Sequence, residues 1–290
     1  MPFITEWIMA EISQTVKEEE VIILRPSRGW SALNLRDLLL YRELVYFLTW
    51  RDIKVRYKQT VLGAGWAILQ PLINMIVLGV IFGNFAKMPT EGIPRPIFTF
   101  AALLPWGLFS KALNDAGRSM LSNRNMITKI YFPRLIIPLS SVLGGTVDFL
   151  IQFAILILMM VYYGYAPTAN IWALPLFLLL ALTTALGFGL WLSALNVLYR
   201  DVNYILPFLT QLWVLVTPVA YSSSVVPEQW RLIYALNPMV GVVEGFRWAL
   251  LGTQTAPGPQ MALSVAISLV LLVTGMYYFR RMERTFADMV

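Results

Sequence analysis

From residue 64 to residue 279 the chain alternates long apolar runs with short polar connections. Six runs, 64–85, 97–111, 135–163, 171–198, 204–221 and 261–279, reach or approach the roughly 20 residues a helix needs to cross a bilayer. Ahead of them, 35–60 is helical in pattern but not spanning. Tyr46, Trp50, Ile53 and Tyr57 share one stripe with Leu35 and Leu39, while Arg51, Lys54 and Lys58 fall opposite. Arg42 interrupts the stripe, which leaves one helix or two. Such a helix beside a span lies in the membrane interface or packs on a soluble partner. Residues 1–34 read as a polar cytoplasmic lead-in, acidic at Glu18, Glu19 and Glu20, with no cleavable signal peptide. Between 222 and 259, Pro227, Pro238, Pro257, Pro259, Gly241, Gly245, Gly252 and Gly258 cut the chain into pieces too short to span. These pieces predict re-entrant or interfacial helices. The expected fold is an all-α polytopic membrane protein. It has an interfacial helix over 35–60, six transmembrane helices within a membrane domain at 61–290, and short re-entrant helices before the last span.

Charge orients this array. Arg42, Arg51, Lys54, Arg56 and Lys58 precede the first run; Lys111, Arg118, Arg124, Lys129 and Arg134 separate the second from the third. Arg200 follows the fourth run, and Arg280, Arg281 and Arg284 follow the last. The alternate connections hold only Lys87, Arg95, Arg231 and Arg247. Basic loops stay in the cytoplasm, so the expectation is a multi-pass protein of the cell inner membrane with both termini cytoplasmic. A crossing at 240–251 would turn the C-terminal arginines outward, and none is expected there. The chain is 58% apolar and 13% charged, against about half and a quarter in soluble domains. The net charge of +6 sits beside membrane ends, so no nucleic-acid partner is expected.

Candidate chemistry is sparse. The chain has no cysteine and no histidine, which removes thiol nucleophiles, disulfides, the usual zinc sites and histidine acid–base schemes. No phosphate-binding loop of the Gly-x-x-x-x-Gly-Lys-Ser/Thr type occurs. Asp115 and Asp148 read as far apart, one at a cytoplasmic helix end and the other inside the third run. No catalytic, cofactor-binding or metal residue is therefore expected. Ionisable residues within the membrane are functional candidates because burying a charge is costly. Asp148, after Gly144-Gly145-Thr146, either hydrogen-bonds at a helix contact or lines a watery path. Glu244 and Arg247, at i and i+3, can pair with each other, holding a re-entrant helix or forming part of a gate.

Four motifs in order carry a family resemblance. The first runs from Trp50-Arg51-Asp52 through Gly63-Ala64-Gly65-Trp66 to Gln70-Pro71. The second is Lys129-Ile130-Tyr131-Phe132-Pro133-Arg134 with Pro138, and the third Tyr199-Arg200-Asp201-Val202 with Pro207. The fourth is Leu236-Asn237-Pro238 with Glu244-Gly245-Phe246-Arg247. Together they resemble the membrane subunits of ABC transporters that export O-antigen, capsule or teichoic acid. The resemblance implies a permease without its own ATPase site and with no cofactor in this chain. It would pair as a homodimer with two nucleotide-binding ATPase subunits, which bind ATP and Mg, in a 2+2 complex. That complex would move a lipid-linked polysaccharide, the glycan substrate, out of the cytoplasm. It also implies ATPase contact through 35–58 and 120–129, with Arg51, Lys54, Asn123, Arg124, Asn125 and Lys129 the candidates. Trp66, Gln70, Asp148, Glu244 and Arg247 are the candidates for path or gate. An ABC exporter of drugs or lipids, a membrane glycosyl- or phosphotransferase and an ion channel are the competing readings.

Overall fold

A computed structural model describes residues 39–58, 63–253 and 258–289. The lead-in expected over 1–34, residues 35–38 of the interfacial segment, and 59–62 within the first motif lie outside these. Among the described residues every regular element is helical. A turn at Tyr41 separates helical residues 39–40 from α1 (Arg42–Lys58), so the chain breaks where Arg42 interrupts the apolar stripe. Leu48 of α1 is buried, with Tyr41, Leu44 and Val45 packed around it. Tyr46 and Trp50 of the aromatic stripe are exposed. The facing surface is a bundle of helices, and it takes the smaller aliphatics at i, i+3 and i+4 spacing.

Five helical stretches are long and apolar enough to cross a membrane: Gly65–Phe85, Arg95–Ser122, Ile136–Tyr162, Ala169–Leu198 and Pro259–Glu283. The first comprises α2 (Gly63–Gly79), which widens into a π-helix over Val80–Phe85. The second is α3 (Arg95–Ser122), longer by a helical half than the apolar run predicted. It is followed by a single turn, α4 (Arg124–Ile127). The third divides at Gly144-Gly145 into α5 (Ile136–Leu143) and α6 (Thr146–Tyr162). The fourth is mainly α7 (Leu174–Leu198). The expected fifth span is only α8 (Val202–Val216), 15 residues, or about 22 Å at 1.5 Å per residue against a bilayer core of about 30 Å. Pro218 ends it, because a residue before proline disfavours the helical conformation, and Thr217 is extended. Five helices of spanning length and one shorter apolar helix, α8, thus stand where six spans were expected.

The segment before the last span forms α9 (Glu228–Tyr234) and α10 (Pro238–Leu251), both too short to cross. Asn237 caps α10 by accepting from the Met239 amide, and Gly252 at φ 68° closes it in the left-handed conformation glycine favours. The final helix is α11 (Pro259–Met289).

The bundle is organised around α3, which is the most buried span and packs on α7, α5, α6, α10 and α2. Lipid tails are as apolar as leucine, so helices in a membrane adhere by close backbone approach and hydrogen bonds. The α7–α11 crossing shows both. A Cβ on Gly187 would lie 2.8 Å from the Leu271 backbone, and one on Gly275 2.5 Å from the Gly187 carbonyl. One turn away Thr184 and Ser268 share a buried hydrogen bond of 2.8 Å. Gly187→Ala and Gly275→Ala are therefore expected to lower the thermal midpoint of the detergent-purified protein, at an overpacking cost of about 1–3 kcal/mol. Gly79→Ala, whose Cβ meets nothing within 4 Å, is expected to leave the midpoint unchanged or raise it. Fluorescence-detected size exclusion after heating measures all three.

Candidate translocation site

A cavity of about 900 Å³ opens between α2, α3, α6 and α8. Trp66, Gln70 and Asn74 line it from α2, Trp106, Lys111 and Asn114 from α3, Asp148 and Gln152 from α6, and Gln211 from α8. Five amides and two indoles stand in this lining among apolar side chains. They offer hydrogen bonds and flat apolar faces without a fixed charge, a surface suited to polar, hydroxyl-rich cargo.

At one end of the cavity the charges converge. Arg56, near the end of α1, donates from Nη1 to Asp148 at 2.9 Å and from Nη2 to Asp115 at 3.1 Å. The same guanidinium donates to the Gly144 carbonyl at 3.2 Å. Lys111 lies 3.4 Å from Asp148 and 3.8 Å from Asp115. Tyr57 donates its hydroxyl to Asp148. Burial, more than that hydrogen bond or the carboxylate's charge, pushes the Tyr57 phenol up to about 12 against the pull of Arg56. Its hydroxyl therefore stays a donor throughout the physiological range. The sequence had placed Asp115 and Asp148 far apart; the structure sets them around one guanidinium. The glycine break at 144–145 brings α6 beside α3, and α1 folds back over both.

The same face of α1 reaches the turn after α3. Arg51 bonds to Asp52 at 2.7 Å and to Asn123 at 2.8 Å, joining two residues predicted to meet an ATPase. Lys54 is exposed and stacks 5.4 Å over Trp50. Arg124, Asn125 and Lys129 are exposed on and just after α4, with Ile130 and Tyr131 beside them. The helix expected over 120–129 is not continuous. Met120 belongs to the buried end of α3, and only Arg124–Ile127 forms the separate turn.

Trp66, Gln70 and Asp148, predicted from sequence, share the cavity; Glu244 and Arg247 do not line it. They lie at the opposite end of the bundle, and no ion pair links them. Arg247, 2% exposed, donates instead to the Phe98, Tyr221 and Val219 carbonyls and stacks 3.7 Å over Phe98. Carbonyls left open by the extended segment after α8 take its donors. An aromatic chain connects the two ends. Trp106 in the cavity wall meets Trp213 at 6.4 Å, and the Trp213 indole donates to Asn237, the α10 cap, at 3.0 Å. Arg56, Lys111, Asn114 and Gln152 were missed from sequence, since each reads as an ordinary flanking or helix-face residue until α1 is docked.

Comparison with known proteins places this arrangement. The model of a family described as ABC-2 type transporter matches residues 43–251, from the start of α1 to the end of α10. The chain is 32% identical over 261 residues to the O-antigen export system permease protein RfbA of Myxococcus xanthus, covering 88% of this chain and 98% of that protein. A protein of the same name from Klebsiella pneumoniae is 27% identical over 250 residues, covering 86% and 95%. The polysialic acid transport protein KpsM of Escherichia coli is 26% identical over 238 residues, covering 80% and 91%. The match takes in the docked α1, the cavity and the re-entrant helices together, and this multi-pass membrane protein belongs to the ABC-2 type transporter family.

Proposed function

We propose that the chain is the membrane half of an ATP-driven exporter. Two copies pair, each served by a separate nucleotide-binding subunit that holds ATP and Mg, and a lipid-linked polysaccharide of the O-antigen or capsule type leaves the cytoplasm. The cargo class rests on the relatives, whose names describe O-antigen export or polysialic acid transport. The basic end, carrying α1, α4 and the end of α11, faces the cytoplasm by the positive-inside bias. Pairing accounts for α2, whose apolar face at Trp66, Leu69, Ile73 and Ile76 is exposed along the edge of the cavity. A second copy covering that face turns two half-cavities into one conduit.

The observation that carries the mechanism is the bond of α1 to the cavity floor. A partner that closes on ATP pushes on α1 and α4, where Arg51 and Asn123 join them. Arg56 passes that displacement to Asp115 on α3 and Asp148 on α6, and the cavity wall moves with them. Such a transition is rigid-body motion of packed elements, not flow along a flexible loop. The short α9 and α10, at the far end, fit an outer gate linked to the cavity through Trp106, Trp213 and Asn237.

Two outcomes test this reading. The double charge reversal Arg124→Glu with Lys129→Glu is expected to weaken retention of the nucleotide-binding subunit by tenfold or more, since those side chains are exposed and make no ion pair among the described residues. Co-purification from membranes measures it, and unaltered retention rejects the docking surface. Arg56→Ala and Asp148→Asn are expected to leave the complex assembled but to lower glycan-dependent ATP turnover by roughly 5- to 100-fold, the usual range of an interaction between sites. Arg56→Lys should keep part of it, since one ammonium cannot bond bidentately to both carboxylates.

A further inference from the structure

A second cavity, about 420 Å³, lies at the far end of the bundle between α9, α10 and the first turns of α11. It shares no lining residue with the larger one. Two carboxylates, Glu91 and Glu244, and one guanidinium, Arg231, line it, with Ser223, Ser264 and Met261. Ser264 is 1% exposed, and its hydroxyl has no hydrogen-bond partner. The nearby Ser268 behaves as buried helical serines usually do, donating to the carbonyl one turn back. A Cβ on Gly241 would fall 2.6 Å from the Ser264 oxygen, so glycine there keeps the space open. Oε1 of Glu244 is likewise buried with no partner. Arg247, one turn along, offsets part of the Glu244 charge but gives Oε1 no hydrogen bond, since its Nε, Nη1 and Nη2 each donate to a carbonyl. Buried polar atoms left this way are expensive, and two of them facing one cavity define what would fit.

We propose that this cavity binds a zwitterionic phosphoamine headgroup, as phosphatidylethanolamine carries, with its ammonium on Glu244, Glu91 and Ser264 and its phosphodiester on Arg231. A primary ammonium supplies three donors and a positive charge, the complement of the Glu244 carboxylate and the open Ser264 hydroxyl, with Glu91, which also accepts from Ser222, as a further acceptor. A neutral hydroxyl ligand brings donors but leaves the carboxylate charge in place. Calcium and magnesium take six or more oxygen ligands, and among the described residues no cluster of three or more potential acidic, histidine or cysteine ligands exists for any metal ion. Arg231 donates from Nε to the Val226 carbonyl at 3.2 Å and reaches the exposed Glu228 from Nη1 only at 3.7 Å, which leaves Nη2 for a phosphate. The cavity sits at the first turn of α11, where a spanning helix emerges at headgroup depth, and Met261 gives it an apolar side. Occupancy ties α9 and α10 to α11, which makes membrane composition a control on the far-end helices.

The test uses the full chain purified in detergent, titrated with dihexanoyl phosphatidylethanolamine while its thermal midpoint is followed. Parallel titrations use dihexanoyl phosphatidylcholine, which keeps the phosphate but has no N–H donor, dihexanoyl phosphatidylglycerol, which has no amine, and free O-phosphoethanolamine. The expected result is a saturable rise with the ethanolamine lipid and binding at least tenfold weaker for the other two lipids. Glu244→Gln and Ser264→Ala should each weaken the ethanolamine lipid severalfold to tenfold, as loss of a charge-assisted donor pair would. Ser264→Ala removes only a hydroxyl that bonds nothing, so it reports on the site even if Glu244→Gln fails to fold. Equal saturation by O-phosphoethanolamine would support the chemistry and assign it to a soluble ligand. Equal binding of the choline or glycerol lipid, or an unchanged affinity in Ser264→Ala, overturns the proposal.

Discussion

One guanidinium holds two carboxylates that the membrane would otherwise not tolerate. Asp115 and Asp148 lie on neighbouring helices at the basic end of the bundle, and a carboxylate in such surroundings needs a countercharge. Lys111 shares a helix with Asp115 and stands 3.4 Å or more from either, so it compensates them only in part. Arg56 bonds directly to both, and it arrives on α1, outside the spanning bundle. The requirement for that arginine fixes where α1 docks. Docking then buries Leu48 against the ends of α3, α5 and α11 and brings Arg51 to Asn123. Removing one partner of a buried pair costs on the order of 3–5 kcal/mol. The cost is smaller here, because the Arg56 side chain keeps 28% of its surface. The floor of the cavity thus balances two cations against two anions, and Arg56 ties it directly to α1.

The rest of the cavity follows from that docking. The Tyr57 hydroxyl remains protonated on Asp148 and fixes the direction of the carboxylate. Above it, Gln70, Asn74, Asn114, Gln152 and Gln211 project polar atoms that carry no charge. A conduit that must release a long polar chain gains from many weak contacts, since a few strong ones would hold the cargo in place. At the far end, Arg247 plays the opposite role. It donates to three backbone carbonyls, and so it locks α10 to the start of α3 without facing the cavity.

Much of this was legible in the chain, for reasons particular to each part. Spans read well because twenty apolar residues have few other uses, and the short pieces between Pro227 and Gly252 were visible as glycine and proline punctuation; the break at Gly144-Gly145 was not read, because the apolar run continues through it. The short α8 was read too long, because its apolar pattern continues past Pro218 although its helix does not. Asp148 was chosen as an ionisable residue inside an apolar run, Trp66 and Gln70 from the motif that carries the family resemblance, and the three meet in one cavity. Arg56 was invisible for the converse reason: beside Lys54 and Lys58 it looked like one more topology-setting charge. Its role depends on a contact 92 positions along the chain, and a periodic pattern reports only neighbours within a few turns. The Glu244–Arg247 spacing permitted a pair, but nearby carbonyls were the better acceptors.

The central claim is that nucleotide-driven motion reaches the cavity through Arg56. Since the chain has no cysteine, a single thiol at Gln70 reports on the cavity without background. Its labelling rate by a water-soluble thiol reagent would be measured in the assembled transporter, with and without ATP, in an otherwise unaltered background and with Arg56→Ala. The account predicts a rate that changes with nucleotide in the first and stays constant in the second, at equal retention of the ATPase subunit. A nucleotide-dependent change that persists without Arg56 would contradict it and place the connection elsewhere in the bundle.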